Sequence, residues 1–236
     1  RASGLADRIV IVRERIENAE IPEPVDLIVS ALTGNLLFSE DLLPSLYVAR
    51  DRYLREGGAM VPDQAQLWLA PCAAQALHVE YVEAWQRPVM GIDYGFAARC
   101  AANDIVWPTR EQFGAAALLA AGGCIAHIDL RRGTSLACDG SATMEVEQGG
   151  ICHGLAAWIR IKVGEDWLSS SPLLPRVHWS PAFLPIDPPI ALDNGEHVTL
   201  SLQRPPNGEW TWTLQAAQGT RRHSTFLAQA EPVSDL

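Results

Sequence analysis

Residues 25–63 read VDLIVSALTGNLLFSEDLLPSLYVARDRYLREGGAMVPD, and the order of features in this stretch decides the fold. Val25 to Val29 is an apolar run broken only by Asp26, the pattern of a parallel strand covered on both faces. Ser39 is placed to cap a helix, with Glu40 and Asp41 in a first turn that favours acids. Leu42, Leu43, Leu46, Tyr47, Arg50 and Leu54 recur at helical spacing, and Pro44 falls near the start, where proline is tolerated. Glu56-Gly57-Gly58 is expected to end that helix, and Met60-Val61-Pro62 to lead out of it. Upstream, Ile9 to Val12 (IVIV) reads as another buried strand. Strand, loop, helix, strand is the closing part of a doubly wound α/β sheet.

After Pro62 the texture changes. Ala65–Ala70, Ile125–Leu130, Ala142–Glu147, Ala156–Val163, Val198–Leu202 and Trp210–Leu214 alternate or run apolar over strand lengths, with Gly, Pro, Asn and Asp between them. Short strands without intervening helices predict an antiparallel β barrel or sandwich. Within one of them, Ile159 and Ile161 fall on one face and Arg160 and Lys162 on the other. Residues 85–107 (WQRPVMGIDYGFAARCAANDIVW) fit neither pattern: aromatics mix with turn residues, as in an insertion with apolar anchors that serves an interface.

Bulk properties narrow the classes. The chain has 236 residues, 48% hydrophobic and 19% charged, enough for a globular core in one or two domains. A net charge of −10 argues against nucleic-acid binding, which needs clustered Lys and Arg; it reads either as a charge that keeps the protein soluble or as one that attracts a basic, Arg-rich protein partner. The 5 cysteines include no CxxC and are odd in number, which predicts reduced thiols and a cytoplasmic location, with no metal site. No segment reads as membrane-spanning or as a signal peptide. None of the histidines has a Ser or Cys elbow beside it, so a hydrolase triad has no support.

The stretch at 25–63 resembles the protein arginine methyltransferases. That family carries a strand ending in Ser-Glu, a Gly-containing loop with a second Glu nine positions on, an Ala-Arg-Asp-x-x-Leu helix, a Gly-Gly turn and a Pro-Asp. Here the matching residues are VDLIVSA to residue 31, Gly34, Glu40, ARDRYL at 49–54, Gly57-Gly58 and Pro62-Asp63. A second match is Val177-His178-Trp179 after SSSPLLPR, where the family has a Thr-His-Trp loop. GIDYGF at 91–96 resembles an element of the family's dimerisation arm. The resemblance implies a fold of two parts. Residues 1–61 would be the C-terminal portion of a Rossmann-like methyltransferase sheet, and residues 62–236 a β-barrel substrate and dimerisation domain with its arm at about 85–107.

It also implies a chemistry: transfer of a methyl group from S-adenosylmethionine to a protein arginine. Ala2 to Glu17 resembles the segment after the family's ribose-binding acid, so Ile16 and Glu17 are expected at the donor's adenine. The Gly-rich donor loop and that acid are expected before residue 1, and this chain alone is expected to be inactive. Two carboxylates suit a guanidinium because they grip its fork from two sides. In the family both loop glutamates do this; here the second is Glu40, but the first position is Ala31. The resemblance assigns His178 to organising that site, against the alternative of a histidine packed beside Trp179 at the domain junction. Trp179 reads as junction packing or as a substrate contact, and Glu40 as an acceptor carboxylate or simply a helix N-terminal acid. Three functions remain open: an arginine methyltransferase acting as a homodimer, a non-catalytic dimerisation scaffold, and a methyltransferase for another substrate.

Overall fold

The computed structural model describes residues 4–5, 7–31, 33–114 and 117–227. The N-terminal resemblance therefore falls partly on residues 2, 3 and 6, and the loop after Ala31 on residue 32, which lie outside the described residues.

Strand β1 (Val25–Val29) pairs in parallel with β2 (Leu54–Val61), and helix α1 (Leu43–Tyr53) lies between them in sequence. The helix starts later than its sequence suggests. Ser39–Asp41 forms a separate 3-10 turn with no side-chain cap, and α1 begins at Leu43 with Pro44 in its first turn. Proline has no N–H to donate and fits only the first turn of a helix, so Pro44 marks the start there. The helix also stops earlier, at Tyr53, and β2 runs directly on through Gly57 at φ +72°.

Two expectations about burial are corrected. Ile9 to Val12 forms no strand, and Val10 and Ile11 are 89% and 75% exposed. In β1, Leu27 and Val29 are exposed as well, although the strand itself is present. An apolar run becomes a buried strand only where neighbouring backbone supplies hydrogen bonds and a helix covers it. Among the described residues β2 is the sole strand paired to β1, and no strand pairs with residues 9–12.

The remainder is antiparallel. One sheet runs β4 (Ala117–Leu118), β3 (Gln64–Ala73), β7 (Gly150–Val163), β8 (Asp166–Ser169), with β5 (Gly123–Asp129) on β3 and β9 (Ala182–Leu192) on β7. The other runs β12 (Gly219–Ser224), β11 (Thr211–Ala216), β10 (His197–Arg204), β6 (Cys138–Glu145). Their inner faces share one core, including Leu67, Leu69, Ile159, Ile161, Leu200, Leu202 and Trp212. Ile159 and Ile161 are buried while Arg160 and Lys162 face outward, as their alternation predicts. Arg160 lies over the rings of Trp68 and Trp167 at 5.4 and 5.2 Å, which shields the outer face of β3 and β7. This is the barrel-type β domain, although strand pairing does not run continuously between its two sheets among the described residues.

An arm leaves this domain after α2 (Gln75–Tyr81) and returns before α4 (Arg110–Gly114). It contains a tight turn closed by Val89 and Ile92, then α3 (Gly95–Ala102). Met90 at that turn is 96% exposed and Phe96 on α3 is 72% exposed.

Candidate functional site

The loop from Ser30 to Leu42 is held by its apolar middle. Leu36, Leu37 and Phe38 are buried in the same core as β10 and β11, so the loop is anchored on the β domain. Gly34 stands at φ +52°, and a Cβ there would lie 2.6 Å from the Ser39 carbonyl oxygen. Only glycine permits that close return of the chain. The return brings Glu40 back over Gly34, with its side chain exposed. Glu40 is not the helix N-terminal acid of one sequence reading: it sits in the left-handed region at φ +67°, ahead of α1. Asp41 follows at φ +51° and points away to Arg204. Ala31 is exposed, and it brings no carboxylate to the loop.

The loop carrying His178 and Trp179 is tied to this one. The Ser180 backbone N–H donates to Asn35 Oδ1 at 2.9 Å. Trp179 packs part-buried against the main core, with the exposed His178 ring edge-on to it at 5.4 Å. Asn35 carried no mark in the sequence; its side-chain acceptor, opposite a loop in a different domain, has no local signature. Beside the His178 loop lies a cleft of about 370 Å³, lined by Trp107, Pro108, Ser170, Arg176, Trp179 and Pro181.

Ile16 and Glu17 lie on the other side of α1. Tyr53 Oη donates to the carbonyls of Ile16 and Ala19 at 3.2 and 2.5 Å. The Glu17 carboxylate accepts from Ser45 Oγ, and its carbonyl accepts from Arg52. The Ser45 hydrogen bond, with help from Arg15, holds the Glu17 carboxyl below the usual carboxylate range. Those acceptors of residues 16–17 are therefore engaged within the chain itself. Two further acids nearby are engaged in ion pairs: Asp51 with the buried Arg50 at 2.6 Å, and Asp26 with Arg55 at 2.8 Å on the surface.

A further group of titratable side chains surrounds the root of the arm. His78 on α2 is buried between Glu83 at 3.2 Å and Asp187 at 3.3 Å, the latter an ion-pair distance outside hydrogen-bond geometry. His153 lies 5.9 Å from its ring. His223 accepts from the Asp187 backbone N–H at 3.2 Å and stacks on Trp212. At the other end of the arm, Asn103 accepts from the Ser224 backbone N–H at 2.9 Å. Sequence reasoning passed over these histidines because no motif joins residues so far apart. Among the described residues no cluster is arranged to hold a metal ion, and no helix is long and apolar enough to cross a membrane.

A parallel α/β edge carrying an exposed carboxylate loop is thus joined to a two-sheet β domain with a projecting arm. Residues 63–217 match the family profile described as the arginine methyltransferase oligomerization subdomain, and the chain belongs to the protein arginine methyltransferase family. It is 26% identical over 226 residues to protein arginine N-methyltransferase 2 of Xenopus tropicalis, covering 89% of this chain and 51% of that protein. It is 33% identical over 135 residues to a probable protein arginine N-methyltransferase 6 of Arabidopsis thaliana, covering 56% of this chain and 30% of that one. The chain spans about half the length of protein arginine N-methyltransferase 2 from the two Xenopus species. In fold it resembles the Trypanosoma brucei PRMT1 enzyme–prozyme heterotetrameric complex with AdoHcy, at a TM-score of 0.81 and 21% identity, covering 94% of this chain and 75% of that one.

Proposed function

We propose that this chain is the acceptor-binding and oligomerisation part of a protein arginine methyltransferase that uses S-adenosylmethionine. The observation that carries the reading is the exposed Glu40 carboxylate on a loop fastened to the His178-Trp179 loop through Asn35 and Ser180. An ionised carboxylate accepts from two N–H groups of a guanidinium at once, which orients its plane and draws positive charge toward one edge. Trp179 and His178 would border the same acceptor, and Ile16 and Glu17 would meet the adenine edge of the donor. The acidic balance of the chain, −10 overall, favours a basic, Arg-rich protein substrate. The exposed apolar arm supports self-association, and a cytoplasmic location accords with the five unpaired cysteines.

A second reading is favoured by Ala31. One carboxylate grips a guanidinium from one side only, and the missing charged hydrogen bond is worth roughly 1.5–3 kcal/mol. The chain would then act as the non-catalytic member of an assembly, in the manner of the prozyme in the T. brucei enzyme–prozyme complex. The test uses the full-length protein with labelled donor and an Arg-rich substrate, the product read by mass spectrometry. Methylated arginine supports the first reading. No transfer alone, with transfer by a co-purified methyltransferase enhanced on mixing, supports the second. Methylation of a different residue or molecule overturns the assignment of the acceptor. Ala31→Glu is expected to raise arginine transfer by about 10–100-fold if the absent carboxylate is the limiting defect.

A further inference from the structure

The residue after Glu40 makes a long-range charged contact. Asp41 Oδ1 and Oδ2 accept from the two terminal nitrogens of Arg204 at 2.7 and 2.9 Å, a paired fork between residues 163 apart in sequence. Arg204 ends β10 and is buried, with its guanidinium 5.7 Å from the centre of the Trp210 ring. Its position is therefore set by the β domain, and the planar fork permits one orientation of the Asp41 carboxylate. The Arg204 hydrogen bond also holds the Asp41 carboxyl below its ordinary range, so the pair stays charged.

The backbone explains why the loop needs this. Leu37, Glu40 and Asp41 all lie at positive φ, a region that side chains with a Cβ resist. Two consecutive residues in that region persist only where the surroundings over-determine them. Leu36, Leu37 and Phe38 are pinned by burial, but beyond them Ser39 to Leu42 are only part-buried or exposed. The fork on Asp41 is what fastens that end. Consecutive Cα atoms are about 3.8 Å apart, so fixing Asp41 constrains where the Glu40 backbone, and the root of its side chain, can stand.

We infer that Arg204 is a positioning residue for Glu40: by gripping Asp41 it holds residues 40–41 in the left-handed turn that aims the Glu40 carboxylate at the acceptor guanidinium. This rests on the methyltransferase reading for the identity of the acceptor, while the mechanical part stands on the geometry alone. The competing role is a strut between the α/β edge and the β domain, with no bearing on Glu40.

Both parts are tested in the full-length protein with Arg204→Ala, Arg204→Lys, Glu40→Gln and the double variant Glu40→Gln with Arg204→Ala. Arg204→Ala is expected to lower kcat/KM for an Arg-containing peptide at least tenfold, with the KM for S-adenosylmethionine unchanged and partial recovery in Arg204→Lys. In the Glu40→Gln background the same alanine change is expected to cost less than twofold, because a residue acting through Glu40 has nothing left to position. A second tenfold loss in that background, or an equal rise in both KM values, would establish the strut and overturn the inference. Deuterium exchange gives a readout independent of activity: Arg204→Ala should speed exchange of segment 37–42 while β10 keeps its protection. Unchanged exchange in that segment overturns the inference whether or not the protein is active. If the wild-type protein transfers no methyl group, the acceptor assignment falls together with the methyltransferase reading. The exchange comparison, repeated in Arg204→Lys should the alanine variant fold poorly, then decides the clamp alone.

Discussion

At the level of single residues, Gly34 is the least replaceable position described in the loop from Ser30 to Leu42. A methyl group there meets the Ser39 carbonyl oxygen at 2.6 Å, and the backbone angle is unfavourable to any other residue. Gly34→Ala is expected to destabilise the protein by about 1–2 kcal/mol from the left-handed conformation alone, with more from the contact. A lowered urea midpoint with an unchanged slope would check it. The sequence made Gly34 and Glu40 legible as members of one loop, because the spacing between them matches a family pattern. It did not make their conformation legible. Glu40 reads as the first turn of a helix when judged by charge and spacing, yet it precedes the helix at positive φ. Asp41 points away from Glu40 to a partner 163 positions away that leaves no local trace in the sequence.

At the level of elements, legibility followed local pairing and failed where partners are remote. Strand β7 could be read down to which face each residue takes, since alternation records burial on one side of a sheet. Strand β9 could not: Pro185, Pro188 and Pro189 argue against a strand. It survives because residues 182–185 and 190–192 pair with β7 while the residues between them bulge out opposite His153. The run at 9–12 failed in the opposite sense, apolar in sequence but without strand geometry. The arm was legible as an interruption of the strand pattern, and its apolar tip gives it an assayable role. Met90 and Phe96 are largely exposed, so replacing both by aspartate removes little from the core. Met90→Asp with Phe96→Asp is expected to leave the thermal midpoint within a few degrees of wild type. The same variant should weaken self-association by roughly 30-fold or more, as for an interface hot spot, measured by sedimentation over a concentration series.

At the level of the whole molecule, the three histidines at the arm root make stability depend on pH from both sides. Burial pushes His223 down to about 4, and burial together with the charge of His78 lowers His153. Both are neutral when folded, so the unfolded chain binds the extra protons, and stability declines as pH falls from about 6.5 toward 4. For His223 that shift corresponds to about 3 kcal/mol by the acid end. His78 behaves oppositely. Burial works to lower it, but Asp187 and Glu83 outweigh burial and leave it raised. Its contribution is full below about pH 6.5 and disappears as pH rises through the raised value. Chemical denaturation between pH 4 and 8.5 should therefore show a maximum near neutrality. His223→Phe is expected to flatten the acid limb, and His78→Gln the alkaline one.

Helix α1 touches both halves of the protein along its length. Ser45, Arg52 and Tyr53 hold the segment at 16–19, while Tyr47 reaches the Ser135 carbonyl and Arg50 the carbonyls of Leu130 and Gly133. Both sets of contacts are carried by one helix of eleven residues. A substitution at Arg52 or Tyr53 that loosens the segment at 16–19 falls within one turn of Arg50, which grips the β domain, and the reverse is equally true. The two sides are bound to a shared history: a change on either is filtered through Ser45, Tyr47, Arg50, Arg52 and Tyr53, which answer to one side or the other.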